Sequence, residues 1–375
     1  MAGVESVLIT GGGTGGHVSP ALALGVALTA LVPGLRVRYV GGRRGIEGRM
    51  VPARGGEITL LPVEPLPRGI GLGVVRFVAG LLLSLLQGFR LLREVRPRLC
   101  LATGGYASVP VSLVSRARGV PLYVQEQNAV PGLASRFLGR LSRKAFVAFD
   151  EARLFMPRSR TVVAGNPVRP DIDRASRAES RRKFGLPEDG FVLLVFGGSQ
   201  GASRINRALS KAATRLSEKN VAVLWQTGRS DYNDALELVK THELNWVVLP
   251  FIDDMPSAYA ACDLSVSRAG ALSVAELTAC GVPMILVPYP FAAADHQTKN
   301  ASALVSAGAA VIVPDSEFDG ERLASEVESL VENESKRAEM ARASRALGRP
   351  DAANAIARLI LDDAREFERA RGILR

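Results

Sequence analysis

Short, continuous apolar runs alternate with stretches of helical periodicity along almost the whole chain. In the first half the runs predict strands at 6–10, 37–41, 58–63, 99–102, 122–125, 145–149 and 161–164. The periodic stretches between them predict helices near 18–31, 46–54, 72–94, 108–117 and 131–141. Strands that are apolar throughout and separated by helices belong to a parallel sheet covered on both faces. Residues 170–190 are polar, hold two prolines and read as a linker followed by one helix. The pattern then restarts with a strand at 191–196, a glycine-rich turn and a helix near 203–217, followed by strands at 222–225, 247–250, 264–267, 283–287 and 310–313. Gly348-Arg349-Pro350 breaks the later helices before a final one at 351–371. The expectation is two doubly wound α/β domains in series, 1–165 and 166–349, followed by a last helix at 350–375. Ligands are expected at the carboxyl ends of the strands.

The most apolar stretch, 70–92, has a longest uncharged run of 13 residues, Phe77 to Phe89. A bilayer needs about 20, so no transmembrane helix is predicted. On a helical wheel Val74, Phe77, Val78, Leu81, Leu85 and Leu92 share a face, expected to lie against the sheet. Ile70, Leu72 and Val75, beside Arg68 and Arg76, are expected to form an exposed patch suited to an anionic membrane surface. The first ten residues lack a basic segment and run into a glycine loop, so they read as a buried strand and not as a signal peptide.

Composition changes this picture only where charge is concerned. The 375 residues carry a formal net charge of +10. Residues 1–165 hold 21 basic and 8 acidic side chains, and the rest hold 26 and 29, so the whole excess lies in the first half. All but one of the basic residues there, Lys144, are arginines, which suit phosphate. Aromatic residues make up 6% of the chain and no zinc-finger or RNP pattern occurs, which argues against nucleic acid as the partner. Cys100, Cys262 and Cys280 are far apart and odd in number, which fits a reducing compartment without disulfides. His17, His242 and His296 are equally scattered; no metal site and no cofactor are expected.

The candidate chemistry lies in loops that follow strands. Gly11-Gly12-Gly13-Thr14-Gly15-Gly16-His17 joins a strand to a helix, so backbone N–H groups and a helix N-terminus face an anion. Gly11, Gly13 and Gly16 also satisfy G-x-G-x-x-G. A nicotinamide site would want an acid at the end of the second strand, however, and RVRYVGGRR offers none before Glu47. His17, at the loop-to-helix junction, is either a general base or a local hydrogen-bonding residue. A second loop, Gly197-Gly198-Ser199-Gln200-Gly201-Ala202, repeats the arrangement. In Arg268-Ala269-Gly270-Ala271-Leu272-Ser273-Val274-Ala275-Glu276, Ser273 and Glu276 have the spacing of a capping box. The same carboxylate also suits a ribose diol, and Arg268 a phosphate. Gly104-Gly105-Tyr106, Gln125-Glu126-Gln127-Asn128, Asn166-Pro167-Val168-Arg169 and Asp295-His296-Gln297 add amides and guanidinium groups at further strand ends. Asp171-Ile172-Asp173 reads as a solvated loop, and Asp253-Asp254 as a helix cap.

Taken in order, GGGTGGH, GGYAS, QEQNA, GNPVR, GGSQGA, FIDDM, SRAGALSVAE and DHQTKNA resemble the MurG-type enzymes over essentially the whole chain. These N-acetylglucosaminyltransferases convert lipid I to lipid II in bacterial peptidoglycan synthesis. The resemblance implies a GT-B architecture, two Rossmann-like doubly wound parallel-sheet domains facing a cleft. Its C-terminal domain would bind UDP-N-acetylglucosamine and its last helix would return to the first domain. It further implies that His17 is the base, and that Thr14, Gly15, Gly16, Asn128 and Gln297 bind the sugar. Arg169 would hold the donor, Ile252 the uracil, Ser199 and 271–276 the phosphates, and Glu276 the ribose. Gly13, Gly104, Gly105 and Tyr106 would face the acceptor, lipid I. The enzyme would be peripheral on the cytoplasmic face of the membrane. The family's EQN motif usually continues with Gly, whereas Ala129 follows here. Alternatives within the class are a glycolipid glycosyltransferase or a UDP-sugar epimerase. Outside it stand an NADP-dependent oxidoreductase and a non-catalytic basic protein.

Overall fold

The computed structural model describes residues 5–67, 69, 71–198 and 200–372; Arg68, Ile70 and Ser199 lie outside the described residues. Two compact units divide the chain, one of residues 1–170 with 351–375 and the other of residues 171–350. Each is a parallel sheet with helices on its faces.

In the first unit β1 (Ser6–Thr10), β2 (Arg36–Gly42), β3 (Glu57–Leu61), β4 (Leu99–Ala102), β5 (Leu122–Glu126), β6 (Lys144–Val147) and β7 (Thr161–Val163) lie in the order β3-β2-β1-β4-β5-β6-β7. All pairs are parallel, with Ile9 between Tyr39 and Leu101. The order reverses between β1 and β4. A doubly wound sheet opens a crevice there, and the GGGTGGH and GGYAS loops both leave the sheet at that point. The helix Ala352–Ala370 buries Ile356, Ala357 and Ile360 in the same core as Ile9, Leu24, Leu28 and Phe146. Buried Asp363 fixes it there, accepting from Tyr123 Oη at 2.7 Å and Arg143 Nε at 2.7 Å.

The second unit holds β8 (Val192–Phe196), β9 (Ala222–Gln226), β10 (Trp246–Leu249), β11 (Leu264–Ser267), β12 (Met284–Leu286) and β13 (Ala310–Ile312), in the order β10-β9-β8-β11-β12-β13. Its reversal falls between β8 and β11, where GGSQGA and the turn before Ala271 begin. The division between the units falls after Pro170, not at 165, for a local reason. Asn166 is held to the first unit by Gln125 (3.1 Å) and by the Gln127 carbonyl (3.0 Å), whereas the Ile172 carbonyl accepts from Cys280 of the second.

One helix departs from expectation. Leu72–Val95 turns inward on small residues, Gly80, Ser84 and Gly88, with Leu91 and Leu92. A Cβ on Gly80 would come within 2.5 Å of the Pro62 carbonyl, so the small face sets how closely the helix docks. Of the face expected to be buried only Leu92 is fully so; Val74 and Val78 are exposed, as are Leu72, Val75, Leu82, Leu83 and Leu86. The helix is apolar nearly all round, so hydrophobicity alone could not say which side packs; closeness of approach does. By length and composition it is also able to cross a membrane, with a mean hydropathy of 1.8 over 18 residues, which the count of its longest uncharged run understated.

Asp254 does cap a helix, Met255–Ala261, by accepting from Ser257 N at 3.2 Å. Partial burial works to raise its carboxyl, but Lys183 and Ser257 outweigh it and hold the group at about 2. Asp254→Ala is expected to cost about 1 kcal/mol in urea unfolding at neutral pH. Because the folded-state value lies below the ordinary 3.8, that contribution is complete above about pH 4 and fades as pH falls towards 2. An unchanged urea midpoint in the variant would contradict the assignment.

Candidate functional site

The first unit builds its site on the β1 loop. The helix Gly15–Leu31 begins directly behind it, and its N-cap, Thr14, makes no side-chain cap hydrogen bond. The helix therefore presents backbone N–H groups and the positive end of its dipole. His17 Nδ1 lies 3.1 Å from the Gly12 carbonyl oxygen and 3.3 Å from Thr14 Oγ1. A carbonyl oxygen only accepts, so Nδ1 carries the proton in this pairing and Nε2 is the basic nitrogen of the neutral ring.

The β4 loop closes on the same imidazole. Gly104 and Gly105 have φ of +99° and +78°, and neither has room for a side chain. A Cβ on Gly104 would lie 2.9 Å from His17 Cδ2, and one on Gly105 would lie 2.3 Å from the Gly12 oxygen. Thr103 Oγ1 donates to the His17 carbonyl at 2.9 Å and leaves no room for a side chain at Gly11. Tyr106 approaches Gly13. The QEQN segment braces these loops, with Gln127 Nε2 donating to the Thr103 carbonyl at 2.8 Å. Buried Glu126 accepts from both Asn128 N (2.9 Å) and Asn128 Nδ2 (3.1 Å) and so sets the amide. Ala129 is buried, and its methyl is absorbed without loss of those bonds. Arg169 is partly exposed in the segment after β7.

Two expectations for this loop change. Glu47, one of the few fully buried acids, accepts from Gly42 N at 2.7 Å and from Gly13 N at 2.9 Å. The Gly13 N–H is therefore committed to a carboxylate and does not serve an acceptor phosphate. The only acid near the end of the second strand is likewise spent inside the protein, which removes the ribose ligand that a nicotinamide site needs.

The second unit has its site where two helices start. Ser203–Glu218 and Ala271–Cys280 both lack a side-chain cap at their N-termini. Both open on a cavity of about 520 Å³ whose lining includes Gly198, Ala202, Gly270, Ser273, Tyr289 and Gln297. Two uncapped N-termini converging on one cavity form an anion site. Gly201 makes the first turn possible; its φ is +78°, and a Cβ there would meet the Thr227 carbonyl at 2.0 Å.

Ser273 and Glu276 do not form a capping box. The helix starts at Ala271, so both sit inside it, and Glu276 Oε2 instead accepts from Tyr259 Oη at 2.9 Å. Leu272 and Ala275 are partly exposed in the same turns, and Ala271 and Val274 are buried. Arg268 was expected to meet a phosphate. Arg268 lines this cavity, and its Nη1 donates to Asp315 at 2.5 Å and to the carbonyls of Val287 and Pro288. Ile252 is buried after β10. Gln297 Oε1 accepts from Tyr289 N at 2.9 Å, just beyond Ala294 and Asp295, both at φ +53°. Two consecutive non-glycine residues in the left-handed region are strained, and such strain collects at functional sites. Asp171 and Asp173 lie apart from this cavity, and Asp171 pairs with Arg174 at 2.8 Å. Among the described residues no group of three His, Cys, Asp or Glu is placed to hold a metal ion.

Glu47, Glu126, Thr103 and Tyr259 were not singled out from sequence. Glu126 lay within a recognised motif; the other three act across long chain separations that no local spacing records.

Residues 7–147 match the glycosyltransferase family 28 N-terminal domain, and residues 192–356 match the glycosyltransferase family 28 C-terminal domain. A protein of Salinibacter ruber named UDP-N-acetylglucosamine--N-acetylmuramyl-(pentapeptide) pyrophosphoryl-undecaprenol N-acetylglucosamine transferase is 43% identical, over 95% of this chain and 96% of its own length. One of the same name from Desulfitobacterium hafniense is 40% identical over 96% and 99%. The crystal structure of Acinetobacter baumannii MurG superposes with a TM-score of 0.77 at 29% identity, covering 96% of this chain and 99% of that one.

Proposed function

Because the chain belongs to the MurG group of glycosyltransferase family 28, we infer that it transfers N-acetylglucosamine from UDP-N-acetylglucosamine to lipid I, giving lipid II for peptidoglycan. The observation that carries this is identity of 40% or more over nearly the full length of both chains with proteins that bear that name. Two switch points, each with a glycine loop and an uncapped helix N-terminus, fit two phosphate-bearing substrates.

In this reading the second unit takes the donor. Its diphosphate lies against the N-termini at Ser203 and Ala271, its ribose on Glu276 and its uracil near Ile252. The sugar is assigned to Gln297, Asn128 and Thr14-Gly15-Gly16, and Arg169 is assigned to holding the donor. The acceptor meets Gly104, Gly105 and Tyr106. His17 Nε2 takes the proton of the acceptor 4-hydroxyl as that oxygen attacks the anomeric carbon. The bond to the UDP oxygen breaks in the same step, so the configuration inverts from α to β. Helix N-termini stabilise the negative charge that develops on UDP. Mass analysis of products with and without a lipid I analogue tests the reaction class. A disaccharide lipid is expected only when acceptor is present. A UDP-sugar isomer formed without acceptor would instead make the chain an epimerase.

The membrane surface enters through the helix Leu72–Val95. Leu72, Val75, Leu82, Leu83 and Leu86 are exposed on it, and the guanidinium groups of Arg93 and Arg118 lie over its Phe89. Anchored by Gly80, Ser84 and Gly88, it lies in the headgroup region of an anionic inner leaflet, and the enzyme is peripheral on the cytoplasmic face. Leu82→Ser with Leu86→Ser is expected to lower co-sedimentation with phosphatidylglycerol vesicles by about tenfold. Added salt is expected to weaken binding of the parent protein. Equal binding of both proteins to anionic and neutral vesicles would contradict the assignment.

A further inference from the structure

Glu47 and His17 address opposite ends of one peptide unit. The unit between Gly12 and Gly13 donates its N–H to Glu47 Oε2 at 2.9 Å, and its carbonyl oxygen lies 3.1 Å from His17 Nδ1. The other carboxylate oxygen accepts from Gly42 N at 2.7 Å. Glu47 is 1% exposed, and among the described residues it has no cationic partner. Burying a carboxylate without a counter-ion is costly, and two backbone N–H bonds are what offsets the cost here. The surrounding chain gives up side chains to accommodate it. A Cβ at Gly12, Gly41 or Gly45 would come within 2.1, 2.3 or 1.9 Å of a Glu47 side-chain atom. A hydrophobic residue would fill the space more cheaply, so the charge itself serves a purpose.

We propose that Glu47 is a positioning residue for His17, acting through the Gly12–Gly13 peptide as the buried carboxylate of a catalytic triad acts directly on its imidazole. The proposal rests on the reading of His17 as the base. Hydrogen bonds in a chain polarise one another, so a carboxylate on the N–H makes the Gly12 carbonyl a stronger acceptor. That carbonyl then fixes the proton on Nδ1, leaves Nε2 as the basic nitrogen and stabilises the imidazolium formed when the acceptor hydroxyl is deprotonated. Charged or titratable groups near the loop include Tyr106, from the turn after β4, and the Arg44–Glu64 pair (2.6 Å) beyond β2. Ser135, Thr14 and Thr103 contribute neutral hydroxyls.

The test is an NMR titration of the His17 ring in the full-length protein, compared with Glu47→Gln and Glu47→Asp and assigned by the signal lost in His17→Ala. With the carboxylate replaced by an isosteric amide, the His17 titration is expected to move to lower pH. The kcat is expected to fall roughly ten- to a hundredfold, with donor KM within about twofold. Glu47→Asp, which restores the charge, is expected to recover part of both effects. If Glu47→Gln does not fold, Glu47→Asp is measured alone and should show a smaller shift in the same direction. A His17 titration that stays put in a folded Glu47 variant overturns the proposal, whatever the activity. A shifted titration in Glu47→Gln combined with full activity of His17→Ala would sustain the relay and refute His17 as the base.

Discussion

Replacing His17 with alanine is expected to lower kcat by roughly a thousandfold while leaving the affinity for UDP-N-acetylglucosamine within about twofold. The magnitude is that of a general base removed from a reaction whose nucleophile, a sugar hydroxyl, is a weak one. The separation of rate from binding follows from the geometry. The His17 ring packs against Gly104 and Gly105 with Nδ1 against the Gly12 carbonyl, and the proposed mechanism uses Nε2 as the base. The nucleotide is assigned to the second unit, where His17 makes no contribution. The measurement is steady-state kinetics beside equilibrium donor binding. Equal losses of rate and donor affinity would show that the imidazole shapes the donor site, and would refute its role as base. His17→Gln should be as slow as His17→Ala, since an amide keeps a hydrogen bond but takes no proton.

Glu276→Ala is expected to weaken donor binding by roughly ten- to a hundredfold, with a much smaller change in kcat at saturating donor. A carboxylate accepting from two vicinal hydroxyls makes charge-assisted bonds, each worth about 1.5–3 kcal/mol when it replaces water. Glu276 is preset for this by Tyr259, whose hydroxyl donates to Oε2. Tyr259→Phe should therefore show a fraction of the same loss. Inhibition by UDP and by 2′-deoxy-UDP separates ribose binding from a general effect on the helix. The parent enzyme should discriminate between the two nucleotides, and Glu276→Ala should not. If the variant kept the discrimination, the ribose would have another partner.

Much of the scaffold was legible from the chain because most strands are short, largely apolar runs. Val192–Phe196 is buried at every position, as are Ser6–Thr10 and Leu122–Glu126. Glycine loops at the reversal points were legible for the same local reason. What escaped was whatever depends on a partner far along the chain. Glu47 is 34 residues from Gly13, and nothing in its neighbourhood marks it as the acid that holds the loop. Arg268 could be placed at the cavity from sequence, but not its pairing with Asp315, 47 residues on. The Ser273–Glu276 spacing matches a capping box, but the helix already begins at Ala271. On the helix Leu72–Val95 the period of apolar residues carries no direction, since leucine and valine surround it. Three small residues spaced four apart, Gly80, Ser84 and Gly88, were the signal that would have set its packing face.

The proposed reaction is a direct displacement in which a base on the first unit and helix N-termini on the second suffice. Its most direct measurement is the linkage made when labelled UDP-N-acetylglucosamine and a lipid I analogue are incubated with the enzyme in excess EDTA. Transfer is expected to be undiminished and to give a single product whose new glycosidic bond is β-1,4, read from the anomeric proton coupling. An α-linked product, or transfer abolished by EDTA and restored by a divalent cation, would contradict it.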